Sequence, residues 1–417
     1  MVITIKEIFS NEWEDFRKTS DSPDLKRKAV HENVWKMQYC KTPWMGVIVC
    51  QCPEHYNEVR LFACTCKSRF CPTCGFKANQ VWFHNLTQRV LRHEHQHLVF
   101  SLPYELRELA RFNRRKVFCL MAKTINATIM RFVNKRKHLQ YLPGMVLILH
   151  TFGSGLKWHI HFHVLITAGG MRGDKFIFNG YLNEKALKET WKAKFLGGLR
   201  KLYFQGALVN ATGNYPVQTF LGMLSAIYEK NWHAWIGETE ADSIFTISYI
   251  GRYAKRACIS QKGITRYRIH EEVEWEERSK KKKTPAHCRH RQPPAEFVRL
   301  IIQHIPDHYE RQIYYYGLYS PYHLSRGLYQ KAKQILEKRL PEQMQNAHSS
   351  KDGAKILTYR QLMRWTHDFD PMECSICKKT LRVTGILFFN PGLSKDRDIL
   401  DNYEIKDYQL VKKSDTS

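Results

Sequence analysis

The chain has 417 residues, 43% of them hydrophobic and 13% aromatic, enough for two or three domains with real cores and too apolar for a disordered chain. The balance of 66 Lys and Arg against 39 Asp and Glu, a formal charge of +27, points to a polyanionic partner, nucleic acid before membrane. No apolar run approaches membrane-span length and the start Met1-Val2-Ile3-Thr4-Ile5-Lys6-Glu7 lacks a signal-peptide pattern, so an intracellular protein with no membrane partner is expected.

In chain order, residues 1–40 carry helical apolar spacing at Ile8, Trp13 and Phe16, which predicts a short N-terminal helical segment. Residues 41–76 form a cysteine module: seven of the twelve cysteines lie in the first 74 residues, a clustering that suits metal better than a disulfide scaffold. Two residues between ligands let one turn present both to an ion, so Cys52/His55 and Cys71/Cys74 are predicted to be two knuckles of one tetrahedral zinc site. Cys50, Cys64 and Cys66 are then left over, so either one of them replaces His55 or a second ion is bound. Cys374-Ser375-Ile376-Cys377, near the other end, has no evident second pair and counts only as half a site.

A helix is expected over 76–92, then the strand His97-Leu98-Val99-Phe100-Ser101-Leu102 closed by Pro103. Residues 105–137 predict helix with an apolar stripe through Leu109, Val117, Met121, Ile125 and Ile129; among its basic residues, including Arg111, Arg114 and Arg115, some are read as a solvated face. Met145 to His150 and His159 to Ile166, on either side of Gly153-Ser154-Gly155, predict an antiparallel hairpin. In its second strand His159, His161 and His163 line one face while Ile160, Phe162 and Val164 line the other, which is a metal-binding edge backed by an apolar face. If positions pair across the hairpin in the corresponding parity, His150 shares that face with His161 and His163.

Residues 170–240, with Trp191, Phe195, Trp232 and Trp235, are expected either to be an insertion packed on the sheet or to reach DNA. In Tyr249-Ile250-Gly251-Arg252-Tyr253-Ala254-Lys255-Arg256 a helical spacing of four sets Tyr249 and Tyr253 side by side, with Arg252 and Arg256 on the neighbouring flank. Paired phenols near basic groups suit attack on phosphodiesters. The expected fold is α+β: an antiparallel central sheet carrying the alternating histidines, helices packed on it, and an N-terminal zinc-binding module. The domains are set at 1–40, 41–76, 77–265 with the insertion at 170–240, and a C-terminal accessory region at 266–417.

Together, Cys66-Lys67-Ser68-Arg69-Phe70-Cys71-Pro72-Thr73-Cys74, Leu98-Val99-Phe100-Ser101-Leu102-Pro103, Leu149-His150-Thr151-Phe152-Gly153, His159-Ile160-His161-Phe162-His163 and Tyr249-Ile250-Gly251-Arg252-Tyr253 resemble the rolling-circle transposases of the insertion sequence 91 type. The likeness covers residues 40–320 and includes Glu296-Phe297-Val298-Arg299, His304-Ile305-Pro306 and Tyr315-Tyr316-Gly317, all in the family's order.

That resemblance implies a single-stranded DNA endonuclease and strand transferase acting at transposon ends and target. It implies that His161 and His163 hold Mg2+ or Mn2+ with a third ligand from the adjacent strand, for which His150 is the first candidate and His159 the second. Tyr249 and Tyr253 would form 5′-phosphotyrosine links, with Arg252, Lys255 and Arg256 binding DNA. Structural Zn2+ would sit among Cys52, His55, Cys66, Cys71 and Cys74. A bacterial cytoplasmic location, at the nucleoid when acting, is expected. No Gly-x4-Gly-Lys-Ser/Thr loop is visible, so no ATPase activity is expected. A replication initiator or relaxase would share this chemistry, and a nonenzymatic zinc-containing DNA-binding relative would share only the cysteines and the charge.

Overall fold

The computed structural model describes residues 3–134, 140–178, 182–209, 216–240, 258–278, 287–339, 360–361, 364, 370–406 and 408–412. The chain divides into two compact units, neither continuous in sequence: Met1–Val81 with Lys255–Ile305 and Ile356–Ser417, and Trp82–Ala254 with Pro306–Lys355.

The second unit is built on a five-stranded antiparallel sheet. Its strands are β1 (His95–Ser101), β2 (Gly144–Phe152), β3 (Trp158–Thr167), β4 (His233–Glu240) and β5 (Ile313–Gly317), in the spatial order β5-β2-β3-β1-β4. The strand of alternating histidines, β3, is therefore central, with the hairpin partner β2 on one side and β1 on the other. Leu98 and Phe100 of β1, Leu147 and Leu149 of β2, and Ile160, Phe162 and Val164 of β3 all enter one apolar core. The helices Arg114–Val133, Glu184–Phe204 and Val217–Glu229 cover that face through Ile125, Trp191, Phe195 and Phe220. Residues 170–240 are thus integral to the sheet: they supply two of its covering helices and lead into its edge strand β4.

Part of the opposite face carries a second apolar cluster. There Val146, Ile148 and Leu165 pack with Trp82, Leu86, Tyr319, Tyr329 and Ala332. Gly317 closes β5 at a φ of +56°, where a Cβ would stand 1.7 Å from the Pro143 carbonyl oxygen, so neither the backbone conformation nor the space admits a side chain.

Arg114, at the start of the long helix Arg114–Val133, is buried and not part of a solvated face. Its Nε and Nη2 donate to the Glu310 carboxylate at 2.6 and 3.1 Å, and its guanidinium lies 4.9 Å from the ring of Trp158, the first residue of β3. Removing the nearer carboxylate leaves the buried guanidinium poorly compensated, with the more exposed Asp307 3.8 Å from Nε, so Glu310→Gln is expected to cost up to about 3–5 kcal/mol of stability. The double replacement Arg114→Met with Glu310→Leu should recover most of that loss. Denaturant unfolding of the two variants measures both effects; equal midpoints for Glu310→Gln and the parent would refute the pairing.

In the first unit, Thr4 caps the helix Ile5–Thr19, accepting from the Glu7 amide at 3.0 Å while Glu7 returns to the Thr4 amide. The same helix buries Glu12, whose carboxylate accepts from the Tyr267 hydroxyl at 2.9 Å and the His270 amide at 2.8 Å. A three-stranded sheet has Val47–Gln51 at its centre, between Val59–Ala63 and Arg382–Leu387. A second one is formed by Ile264–Arg268, Glu272–Arg278 and His287–Gln292. The fold is α+β, with a cysteine-rich N-terminal module and a separate central sheet.

Candidate functional site

Directly opposite residues of an antiparallel pair share a face, and β3 aligns its histidines with both neighbours. His161 is opposite His150 on β2 and Ser101 on β1, and His163 is opposite Ile148 and Val99. His150, which is buried, and His161 and His163, which are half-buried, meet on that face with their ligand nitrogens within 4.8 Å of one another. The rings of His150 lie 5.2 Å from His161 and 4.5 Å from His163, centre to centre, and His161 and His163 are 4.9 Å apart.

His159 follows the alternation and its ring is 4.9 Å from that of His161, but it stands outside the group of three. Burial first, then the charges of Arg107 and His233, push its imidazole down to about 4, so it is neutral at pH 7. The sequence reading missed a further imidazole, that of His97 on β1, whose Nε2 is 2.8 Å from Nδ1 of His163. Strand alternation does assign His97 its face, because Leu98 and Phe100 point into the core. Its neighbour depends on strand order, which local sequence does not carry.

Tyr249, Arg252, Tyr253, Lys255 and Arg256 lie outside the described residues.

The cysteines form two groups. Cys40, Cys66, Cys71 and Cys74 make one, and Cys52, His55, Cys374 and Cys377 the other, with donor atoms within 4.8 Å inside each. This corrects the expected pairing, since Cys52/His55 and Cys71/Cys74 do not share a site. The hairpin is the reason: Val47–Gln51 runs out to Cys52 and His55 at its tip, and Val59–Ala63 returns to bring Cys64 and Cys66 back to the other end. Five paired residues separate the two ends by about 16 Å. Cys40 joins Cys66, Cys71 and Cys74 at the near end, while Cys50 is buried beside Cys52, Cys374 and Leu381 in a small apolar cluster.

Both groups fit a tetrahedral ion. Ligands about 2.3 Å (sulfur) and 2.0–2.1 Å (nitrogen) from zinc stand about 3.8 Å apart for two sulfurs and about 3.6 Å for sulfur and nitrogen. The sulfurs of Cys40 and Cys74 are 3.6 Å apart, as are those of Cys52 and Cys377, and Nδ1 of His55 is 3.7 Å from Cys52 and 3.9 Å from Cys374. Among the described residues no helix is long and apolar enough to cross a membrane.

Comparison with known proteins agrees with both halves of this description. Residues 8–102 match a family described as "Transposase zinc-binding domain", and residues 144–326 one described as "Putative transposase". Over 364 residues the chain is 26% identical to the transposase for insertion sequence element IS801 of Pseudomonas savastanoi pv. phaseolicola, covering 85% of this chain and 83% of that one. The chain belongs to the insertion sequence 91 family of transposases. A sequence described in the same words as the second family, y4qJ of Sinorhizobium fredii (strain NBRC 101917 / NGR234), is 24% identical over 264 residues, 61% of this chain and 65% of its own. No solved structure matches the chain. The transposase's zinc-binding match contains Cys40 to Cys74 but neither Cys374 nor Cys377. The second match contains β2 and β3 with all four of their histidines, and residues 241–257 as well.

Proposed function

We propose that this transposase cuts and rejoins single-stranded DNA by rolling-circle transposition, with tyrosine as the nucleophile. The observation that supports this best is the meeting of His150, His161 and His163 on one face of the central sheet, in a chain of this family. These three imidazoles would hold a divalent cation. Mg2+ or Mn2+ bound there would supply positive charge against the nonbridging oxygens of the scissile phosphate.

The residues of the chain do the rest. His163 meets His97 through Nδ1, so it would present Nε2 to an ion, and the contact between the two rings would fix its orientation. The hydroxyl of Tyr249 or Tyr253 attacks phosphorus and loses its proton; the P–O3′ bond breaks, the leaving oxygen takes up a proton as a free 3′-OH, and the 5′ side remains as a phosphotyrosine. The phosphodiester's free energy is kept in that link, so a 3′-OH can later reverse the step without a nucleotide cofactor. Arg252, Lys255 and Arg256 hold the strand through its phosphates. Cys40, Cys66, Cys71 and Cys74 hold the structural zinc of the N-terminal domain. The reaction takes place at the nucleoid, in the bacterial cytoplasm.

The test is incubation of the purified protein with a single-stranded oligonucleotide carrying an element end, a second one carrying a target, and Mg2+ or Mn2+. A covalent protein–DNA band that survives denaturing electrophoresis, and a product joining end to target, are expected. Cleavage leaving free 5′-phosphates with no covalent band would replace tyrosine attack by hydrolysis. A covalent band without joining would favour a replication initiator.

A further inference from the structure

We infer that Cys52, His55, Cys374 and Cys377 form a second structural zinc site, which staples the C-terminal segment to the N-terminal hairpin. The inference deepens the reading of the cysteine module as zinc-binding and is independent of the strand-transfer chemistry. Cys52 and Cys377 are 325 positions apart in sequence, yet their sulfurs are 3.6 Å apart. That is far longer than the roughly 2.05 Å of a disulfide and close to the edge of a zinc tetrahedron. Three thiolates with one imidazole are a soft donor set that selects zinc over the oxygen-seeking cations.

Each half of the site is a turn shaped to present two donors. The Glu54 amide points at the Cys52 sulfur at 3.5 Å. In the other half the Cys374 carbonyl accepts from the Lys378 amide at 3.1 Å, and Lys378 takes a φ of +62° to complete the turn. The two turns also join outside the donors: Lys379 pairs with Glu54, and the Ser375 hydroxyl donates to Glu58 at 2.6 Å. Leu381, Cys50, Ile48, Phe62 and Met372 wall the site with apolar surface, which strengthens ion–thiolate attraction.

The strand that follows explains why a staple is needed. Arg382–Leu387 pairs with Val47–Gln51 through its backbone, but five of its six residues are exposed, including Val383, Ile386 and Leu387. An edge strand that buries so little apolar surface gains little from packing. A metal site directly before it sets its position and register.

The experiment measures zinc per chain in the full-length protein by native mass spectrometry, together with limited proteolysis. The parent is expected to hold two zinc ions, Cys374→Ser/Cys377→Ser one, and Cys71→Ser the other one. Residues 370–412 should become protease-sensitive in Cys374→Ser/Cys377→Ser. His55→Cys keeps four ligands and guards against a variant that merely misfolds: it should retain two ions, and its Co2+-loaded form should gain one thiolate's worth of charge-transfer absorbance. Two ions retained by Cys374→Ser/Cys377→Ser, or an unchanged Co2+ spectrum in His55→Cys, would overturn the inference. A single ion in the parent that only Cys71→Ser removes would overturn it too, leaving the Cys40 group's zinc intact. A single ion that only Cys374→Ser/Cys377→Ser removes would uphold it and remove the zinc from the Cys40 group.

Discussion

Replacing His161 or His163 by Ala is expected to lower cation-dependent nicking of single-stranded DNA by a factor on the order of 10²–10³, with DNA binding nearly unchanged. The size follows from losing one preorganised contributor to transition-state charge stabilisation, about 2.7–4 kcal/mol. Binding is spared because the affinity of a chain with a formal charge of +27 comes mainly from phosphate contacts spread over many Lys and Arg side chains. His97→Ala should behave differently. His97 would act through His163, 2.8 Å away, so its loss should weaken metal affinity about 10- to 100-fold, and raised Mn2+ should restore much of the rate. Nicking assays across a cation titration, beside filter binding of the same oligonucleotide, separate these outcomes. Undiminished nicking by His161→Ala, or by the parent in excess chelator, would remove the ion from the reaction.

The second large effect concerns the proposed nucleophiles. Tyr249→Phe combined with Tyr253→Phe should abolish the covalent DNA adduct, whereas at least one single variant should still nick while failing in complete transposition. One helical turn separates the two positions in the expected helix, so only one phenol at a time can stand in line with the scissile bond, about 3 Å from phosphorus. Each would then serve one of the two strand breakages. Phe keeps the ring and its packing, so loss of the adduct in a folded double variant is chemical in origin. Mass spectrometry of the adduct formed by the parent locates the modified residue directly, and a normal adduct from the double variant would assign the attack to another side chain.

What the sequence determined by itself was local and periodic. The two-residue alternation from His159 to Val164 divides imidazoles from apolar side chains, and in the structure Ile160, Phe162 and Val164 lie in the core while His161 and His163 stand on the other face. The α+β class and the family were legible for related reasons: strand and helix periods differ, and several motifs in a set order constrain one another more than any one alone. Contacts between distant segments were decided by the tertiary structure. Spacing makes Cys52/His55 and Cys71/Cys74 knuckles, but a hairpin carries them to opposite ends, where Cys374/Cys377 meets one and Cys40 with Cys66 the other. His97 reaches His163 because β1 lies beside β3, and Arg114, one of several basic residues in its helix, is buried because Glu310 arrives from 196 positions away. A side chain's face follows from the geometry of its own strand or helix, whereas its partner across a sheet or a metal centre follows from the path of the whole chain, which no local window of sequence contains.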